Sequence, residues 1–514
     1  MFFRRTLTTI GTLLAIAILW FVAAVFWPLN RPVPNTVYEH VLISEVSIID
    51  IETGEIKKNQ SIRIKTGTIV GIGNDLPPDG AWQISANGNF AIPGMFDMHV
   101  HSTKMSPALM HPLFIAAGVT AVRDMGGCIG IEDDFVACAD EKRAWNTAVS
   151  DGEMVGPRYD QITSLAINGG QEIPDQLSPE LGASTVEGAR HRVDYDKARG
   201  IDFLKPYSNL KRDEYFALAE AAKQNGMYLA GHKPIQVGGL EAIKAGQRSI
   251  EHAFLFIWEC FPAIDDLRAK TSLSELFSNE IRFKMIADHD EERCSALHTA
   301  MIEANTAFVP THTTRKLDAY ALDETFRTDA RLKYIPSPLR TMWLQDANNM
   351  AKHAGDGGQK SYQEFYQFGL TQTGVAHRAG VMVLAGTDAP DSFVFPGLSL
   401  HDELEHLVIA GLSPHDALKA ATIWPAAFLG LEGIAGVIAE GARADIVLLS
   451  KNPLKNISGT RSIETVVLAG VVYQKDDLEA LSSGVGQAAN HWSMWPKFMW
   501  QLINSPVMKK QFAD

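Results

Sequence analysis

Between residues 94 and 390 the chain repeats one texture, a short apolar burst followed by a stretch with helical spacing. The bursts are GMFDMHVH, TAVRDMGG, PRYDQITSL, IDFLKPYS, MYLAGHKP, SIEHA, AFVPTHTT and VMVLAGTDAP, and stretches such as RDEYFALAEAAKQNG and LEAIKAG separate several of them. Parallel neighbours need a crossover between them, so eight units of this kind predict an α/β fold, a (β/α)8 TIM barrel spanning residues 93–435. The length beyond an ordinary barrel falls in residues 254–306 and 314–380, where long insertions make lids or substrate walls.

The flanks read differently. HVLISEVSIID, SIRIKTGTIVGIG and AWQISANGNFAI alternate apolar and polar residues between Gly, Asn and Asp, and ADIVLLSKN and IETVVLAGVVYQK repeat the pattern near the other end. Residues 38–92 and 436–475 are thus expected to form one composite β-sandwich domain around the barrel. Residues 476–514 form a Trp-rich tail. As a helix its HWSMWPKFMWQLINSPVMKK segment places Trp492, Trp495, Met499 and Leu502 on one face, which suits a membrane surface or packing against the barrel.

At the start, Arg4 and Arg5 precede an uncharged run from Thr6 to Asn30. It is long enough to span a bilayer, and the arginines favour a cytoplasmic N-terminus with the body exported. Residues 1–30 are read as a transmembrane anchor or a signal segment, Val22 and Ala24 serving as small residues before a cut in the second case. The body would be membrane-anchored, periplasmic or otherwise extracytoplasmic. Export bears on the four cysteines, Cys128 and Cys138 ten apart and Cys260 and Cys294 thirty-four apart. Two local disulfides fit an oxidising compartment; four free thiols are the alternative. A net charge of −14 without a basic patch argues against nucleic acid and for a small neutral or cationic substrate. A homo-oligomer stays open.

The chemistry-bearing residues sit at the ends of the apolar bursts. His99 and His101 close the first, and residues two apart on a strand face the same way, so both imidazoles can reach one metal ion. With 16 histidines in the chain such a pair alone says little. The fourth burst, however, ends in Lys205, the fifth in His232, the sixth in His252 and the eighth in Asp388. Singly these read as core histidines, a solvated lysine and a turn aspartate. A barrel gathers its strand C-termini around one site, which makes them a candidate ligand set.

On H-V-H at 99–101, GVTAVRDMGG, SIEHA, GTDAP, LSPHDALKAAT and GARADIVLLSKNP, residues 40–475 resemble the amidohydrolase superfamily of metal-dependent hydrolases. The K-x-Y at 205–207 and GHKP resemble the prolidase-like and ochratoxin-cleaving branch, with imidazolonepropionase-like enzymes nearby. The resemblance implies two divalent metal ions, zinc by donor chemistry, held by His99, His101, His232, His252 and Asp388 and bridged by a carboxylated Lys205. Asp388 would double as general base while a metal-activated hydroxide cleaves a C–N amide bond in a dipeptide or N-acyl amino acid. Lactam or lactone ring opening and deamination are the alternatives on this scaffold, and Lys205 counts against deamination. A non-catalytic binding relative has little use for Asp388. Tyr207 should face the way Lys205 does and either binds substrate or packs, and His312 after the seventh burst contacts substrate or caps. Lys233 could meet a substrate carboxylate, although as a strand neighbour of His232 it should face the other way, and Arg123 and Asp124 are expected to pair behind the histidines.

Overall fold

The computed structural model describes residues 2–268 and 278–511, so part of the 254–306 insertion lies outside the described residues. Its strands are β1 (His40–Ile49), β2 (Ile56–Lys65), β3 (Thr68–Gly73), β4 (Trp82–Ser85), β5 (Phe90–Pro93), β6 (Met95–Val100), β7 (Val119–Asp124), β8 (Arg158–Ile162), β9 (Leu229–Gly231), β10 (Gln247–Glu251), β11 (Ala307–Val309), β12 (Ile446–Leu449), β13 (Ile463–Leu468) and β14 (Val471–Gln474).

Eight of them form a sheet in the order β14-β13-β12-β5-β1-β2-β3, with β4 beside β1. Seven of the eight lie on one hydrogen-bonded path, and β4 joins it from the side through β1. The two chain ends meet where β12 pairs antiparallel with β5, Ile446 opposite Pro93 and Leu449 opposite Phe90. Alternation along these strands buries Val41, Ile43, Ile62, Ile64, Ile446 and Leu448 together.

The remaining strands form two parallel sheets, β6-β7-β8 and β9-β10-β11. The expected fourth and eighth strands are extended segments held by single bridges. Leu204 bridges Leu229, and Asp202 N–H donates to Ile162 O at 3.1 Å, joining residues 202–204 to β9 on one side and β8 on the other. Phe308 bridges Val383 and Val100 bridges Ala389, so residues 383–389 run between β11 and β6. Pairing stays short for local reasons. Pro206 and Pro390 lack a donor, and Asp388 turns into the left-handed region at φ 69°. The seventh segment shortens in the same way: after Val309 come Pro310 and Thr311 at φ 45°, and His312 begins the helix His312–Tyr320 instead of ending a strand.

The 314–380 insertion is built on one 43-residue helix, Ser337–Ala379. At the N-terminus the helix Phe2–Phe26 includes Thr9–Phe26, long and apolar enough to cross a membrane by length and composition. It packs on the helix Met494–Asn504 and the residues just before it, Trp20 against Trp492 at 5.9 Å and Phe21 against Trp500 at 6.4 Å between ring centroids. Trp492, Trp495 and Met499 of the expected face are exposed, but Leu502 is not on it: Met494, Phe498 and Leu502, four apart, form the inward ridge. Both disulfides are present, Cys128–Cys138 and Cys260–Cys294.

Candidate functional site

Three imidazoles are held from behind so that their Nε2 atoms turn to a common centre. His99 Nδ1 donates to Glu251 Oε2 at 3.0 Å, His232 Nδ1 lies 3.0 Å from Ser208 Oγ, and His252 Nδ1 lies 2.8 Å from Thr311 Oγ1. Glu251 is fixed by Arg123 Nη2 at 2.9 Å, with both side chains out of solvent. His252 takes a left-handed φ of 76°, which swings its ring to the same side as Glu251 although the two are sequence neighbours. His232 Nε2 and His252 Nε2 stand 2.8 Å apart. If each Nδ1 keeps its proton, two lone pairs face each other there, and a cation between them relieves the repulsion.

The other half of the cluster is His101, Lys205 and Asp388. Asp388 Oδ1 lies 3.2 Å from His99 Nε2 and 3.1 Å from His101 Nε2, and donor atoms of His99, His101 and Asp388 all fall within 4.8 Å of one another. Lys205 Nζ sits 3.4 Å from His99 Nε2 and 3.3 Å from His101 Nε2. Burial pulls the Lys205 ammonium down, against the pull of Asp388 and Glu251, and burial with the nearby Lys205 holds His101 to about 4. Burial leads in holding His232 and His252 well below the usual histidine range. Burial alone would raise Asp388, yet His99, His101 and His252 outweigh it and keep the carboxylate well below the ordinary range. His101, His232 and His252 held neutral, an ionised Asp388 and a lysine destabilised as a cation make, with His99, a donor set that fits divalent metal.

Above the cluster lies a chamber of about 630 Å³, lined in part by His101, Lys205, Tyr207, His232 and Asp388. The Tyr207 ring lies 4.0 Å from that of His232, tilted by 31°, and burial, then Asp388 and Asp391, pushes its hydroxyl up to about 12, which keeps it a donor. A second cavity of about 310 Å³ shares His232 and holds Arg315 and Arg282, cations that the sequence did not single out because they lie on helices inside the insertions.

Other expected residues are placed elsewhere. His312 is fully buried, its Nε2 2.9 Å from Thr373 Oγ1 and its N–H on Glu403 Oε1 at 2.9 Å, and it is not among the residues lining the chamber. Arg123 and Asp124 do not pair. Strand neighbours face opposite ways, so Arg123 meets Glu251 and Asp124 meets Lys142 Nζ at 2.6 Å. Lys233 is occupied by Glu259 at 3.1 Å and by Val237 O at 2.7 Å. Sequence reasoning missed Glu251, although it directly precedes His252. It also missed Asp97, two residues before His99, which accepts from Thr387 N–H at 2.9 Å and from its hydroxyl at 2.6 Å, tying β6 to the segment carrying Asp388.

Comparison with known proteins bears on this arrangement. Residues 371–473 match the model of the amidohydrolase family. An adenine deaminase of Thermosipho africanus (strain TCF52B) is 36% identical over 98 residues, 18% of this chain and 17% of the deaminase, so the chain matches less than a fifth of that relative's length. The structure of a bottromycin amidohydrolase superposes with a TM-score of 0.68 over 91% of this chain and 94% of its own, at 21% identity. A Xaa-Pro dipeptidase structure does so with a TM-score of 0.58 over 85% and 100%, at 22% identity. At such identities the likeness is one of fold, the mixed α/β fold of amidohydrolase structures.

Proposed function

We propose that the chain is a member of the amidohydrolase superfamily, and within it a metal-dependent hydrolase cleaving a C–N amide bond in a dipeptide or an N-acyl amino acid. The observation that carries the reading is the set of three imidazoles tied outward at Nδ1 and converging at Nε2 on His101, Lys205 and Asp388. In this reading β6–β8, β9–β11 and the segments 202–206 and 381–389 are the staves of a (β/α)8 barrel over residues 93–435. Residues 38–92 and 436–475 are a separate domain, residues 1–30 a membrane anchor or export signal, and residues 476–514 a tail.

His99, His101 and Asp388 would hold one ion and His232 and His252 a second, with Lys205, once carboxylated by carbon dioxide, offering an oxygen to each. Two divalent ions, zinc for preference with these donors, would lower the pKa of water and polarise the substrate carbonyl. Glu251, Ser208 and Thr311 keep the imidazoles oriented. The Tyr207 hydroxyl donates to the substrate. Asp388, ionised at neutral pH, accepts the proton as water oxygen bonds to the carbonyl carbon, and returns it to the amine nitrogen as the C–N bond breaks. The products are an acid and an amine.

Metal analysis of protein prepared in bicarbonate should give about two divalent ions per chain, and Lys205→Ala should lower that toward one and remove most activity. The same protein, offered dipeptide and N-acyl amino acid libraries, should release acid and amine. Release of ammonia would favour deamination instead, and full turnover by Asp388→Asn would remove its role as base.

A further inference from the structure

Away from the histidines the chamber is mostly apolar, with Asn168, Glu172, Asp346, Ser392 and Lys510 among its polar exceptions. Two helices send apolar ridges into this part: Leu339, Met342 and Trp343 from Ser337–Ala379, and Phe498 and Leu502, one turn apart, from Met494–Asn504. The charged side chains along these walls are engaged elsewhere. Glu172 accepts the Asn168 and Gly170 N–H groups at 2.8 and 2.9 Å, Asp346 accepts the Ser392 hydroxyl at 2.5 Å, and Lys510 pairs with Asp175 at 2.5 Å. Among the described residues lining the chamber away from the histidines, Lys510 is the one cation, and it is paired with the exposed Asp175; about 630 Å³ is room for a ligand much larger than a short acyl group.

We infer that the substrate is an amide whose acyl group is a long unbranched hydrocarbon, lying between these two ridges with its carbonyl at the histidines. The inference rests on the hydrolase reading and narrows it to lipophilic N-acyl amino acids. Position supports it. The helix that supplies Phe498 and Leu502 turns Trp495, Met499 and Ile503 outward and packs on the apolar helix Phe2–Phe26, so the chamber wall adjoins the part of the molecule best suited to lipid. Long-chain acyl amides partition into that environment.

The test uses the full zinc-loaded chain and the acetyl, octanoyl, dodecanoyl and hexadecanoyl amides of one amino acid, below micellar concentration. Each buried methylene is worth up to about fourfold, so kcat/KM should rise at least about 100-fold from acetyl to octanoyl. Calorimetry on the metal-free chain should show dodecanoate binding, a readout independent of turnover. Leu502→Trp narrows the passage between the two ridges and should lower the dodecanoyl-to-acetyl ratio of kcat/KM at least about tenfold, weakening dodecanoate by a similar factor. Met342→Trp on the facing helix repeats the test should the first variant fold poorly. Equal rates across the series, or failure of the metal-free chain to bind dodecanoate, would overturn the inference. Hydrolysis confined to the acetyl amide would do so while leaving the hydrolase reading intact, and no hydrolysis of any member by metal-replete protein would overturn both.

Discussion

Glu251 is the residue on which the imidazole geometry turns, because it binds His99 Nδ1 with one oxygen and Arg123 with the other. Glu251→Gln keeps the shape but removes the charge, leaving Arg123 buried without a counter-ion. We expect metal affinity to fall about 10- to 100-fold, read by competition with a chelator. Folding stability should fall by about 3–5 kcal/mol, read by denaturant unfolding. Unchanged metal affinity would mean that His99 is oriented by packing alone. Acid sensitivity has its own residues. Burial above all holds His111 to about 3, His312 to about 4 and His401 to about 3. An unfolded histidine takes up its proton near 6.5, so the stability these residues contribute is complete above that pH. It is lost as pH falls toward their folded values, at about 1.4 kcal/mol per pH unit each. Asp97 and Asp391, which burial pushes up to about 7, act in the opposite sense over the same window. The difference between variants is therefore the clean measurement. His312→Gln should flatten the fall in chelator-treated protein between pH 6.5 and 4.5, and an unaltered slope would show that His312 titrates normally.

At the scale of elements, the site depends on how closely the short strands approach. Gly231, which ends β9, has φ +145°, and a Cβ there would lie 2.7 Å from Lys205 Cγ and 3.0 Å from Pro206 O. Gly231→Ala should push Lys205 out of line, lower the metal content from two toward one per chain and leave the circular dichroism spectrum unchanged; two ions retained would mean that Lys205 is not needed to hold them. That closeness also explains what could be read from the sequence. His99, His101, Lys205, His232, His252 and Asp388 were legible because each ends an apolar burst, and the structure brings all six together even where, as at Lys205 and Asp388, the burst is only an extended segment. His312 was misplaced because an apolar burst does not reveal that Pro310 and a left-handed Thr311 end the strand early. The carboxylate partners of Arg123 and Lys233, Glu251 and Glu259, lie far along the chain, and no local spacing encodes them. Leu502 went to the wrong face because Trp residues dominate that segment, whereas the ridge at 494, 498 and 502 follows the true four-residue spacing.

For the whole molecule, the two disulfides and the two terminal helices make one case. Closing the 10- and 34-residue separations restricts the unfolded chain by about 3 and 4 kcal/mol on the loop-entropy account, a contribution kept only in an oxidising compartment. The helix Phe2–Phe26 leaves most of its apolar surface uncovered, with Leu19 69% exposed and Phe26 73%. A span of that kind is stable when lipid covers it, and on the proposed reading of residues 1–30 the arginines before it would set the body outside the cytoplasm. Expressed in a Gram-negative host, the chain should sediment with membranes and stay there through an alkaline carbonate wash. It should be digested by protease added to the periplasmic side. All four cysteines should resist a thiol reagent until reductant is added, and reduction should then lower the midpoint of thermal unfolding. Recovery as a shorter, soluble periplasmic chain with both disulfides intact would assign residues 1–30 to a cleaved signal. Four reactive thiols without reductant would place the body in the cytoplasm and remove the argument for export.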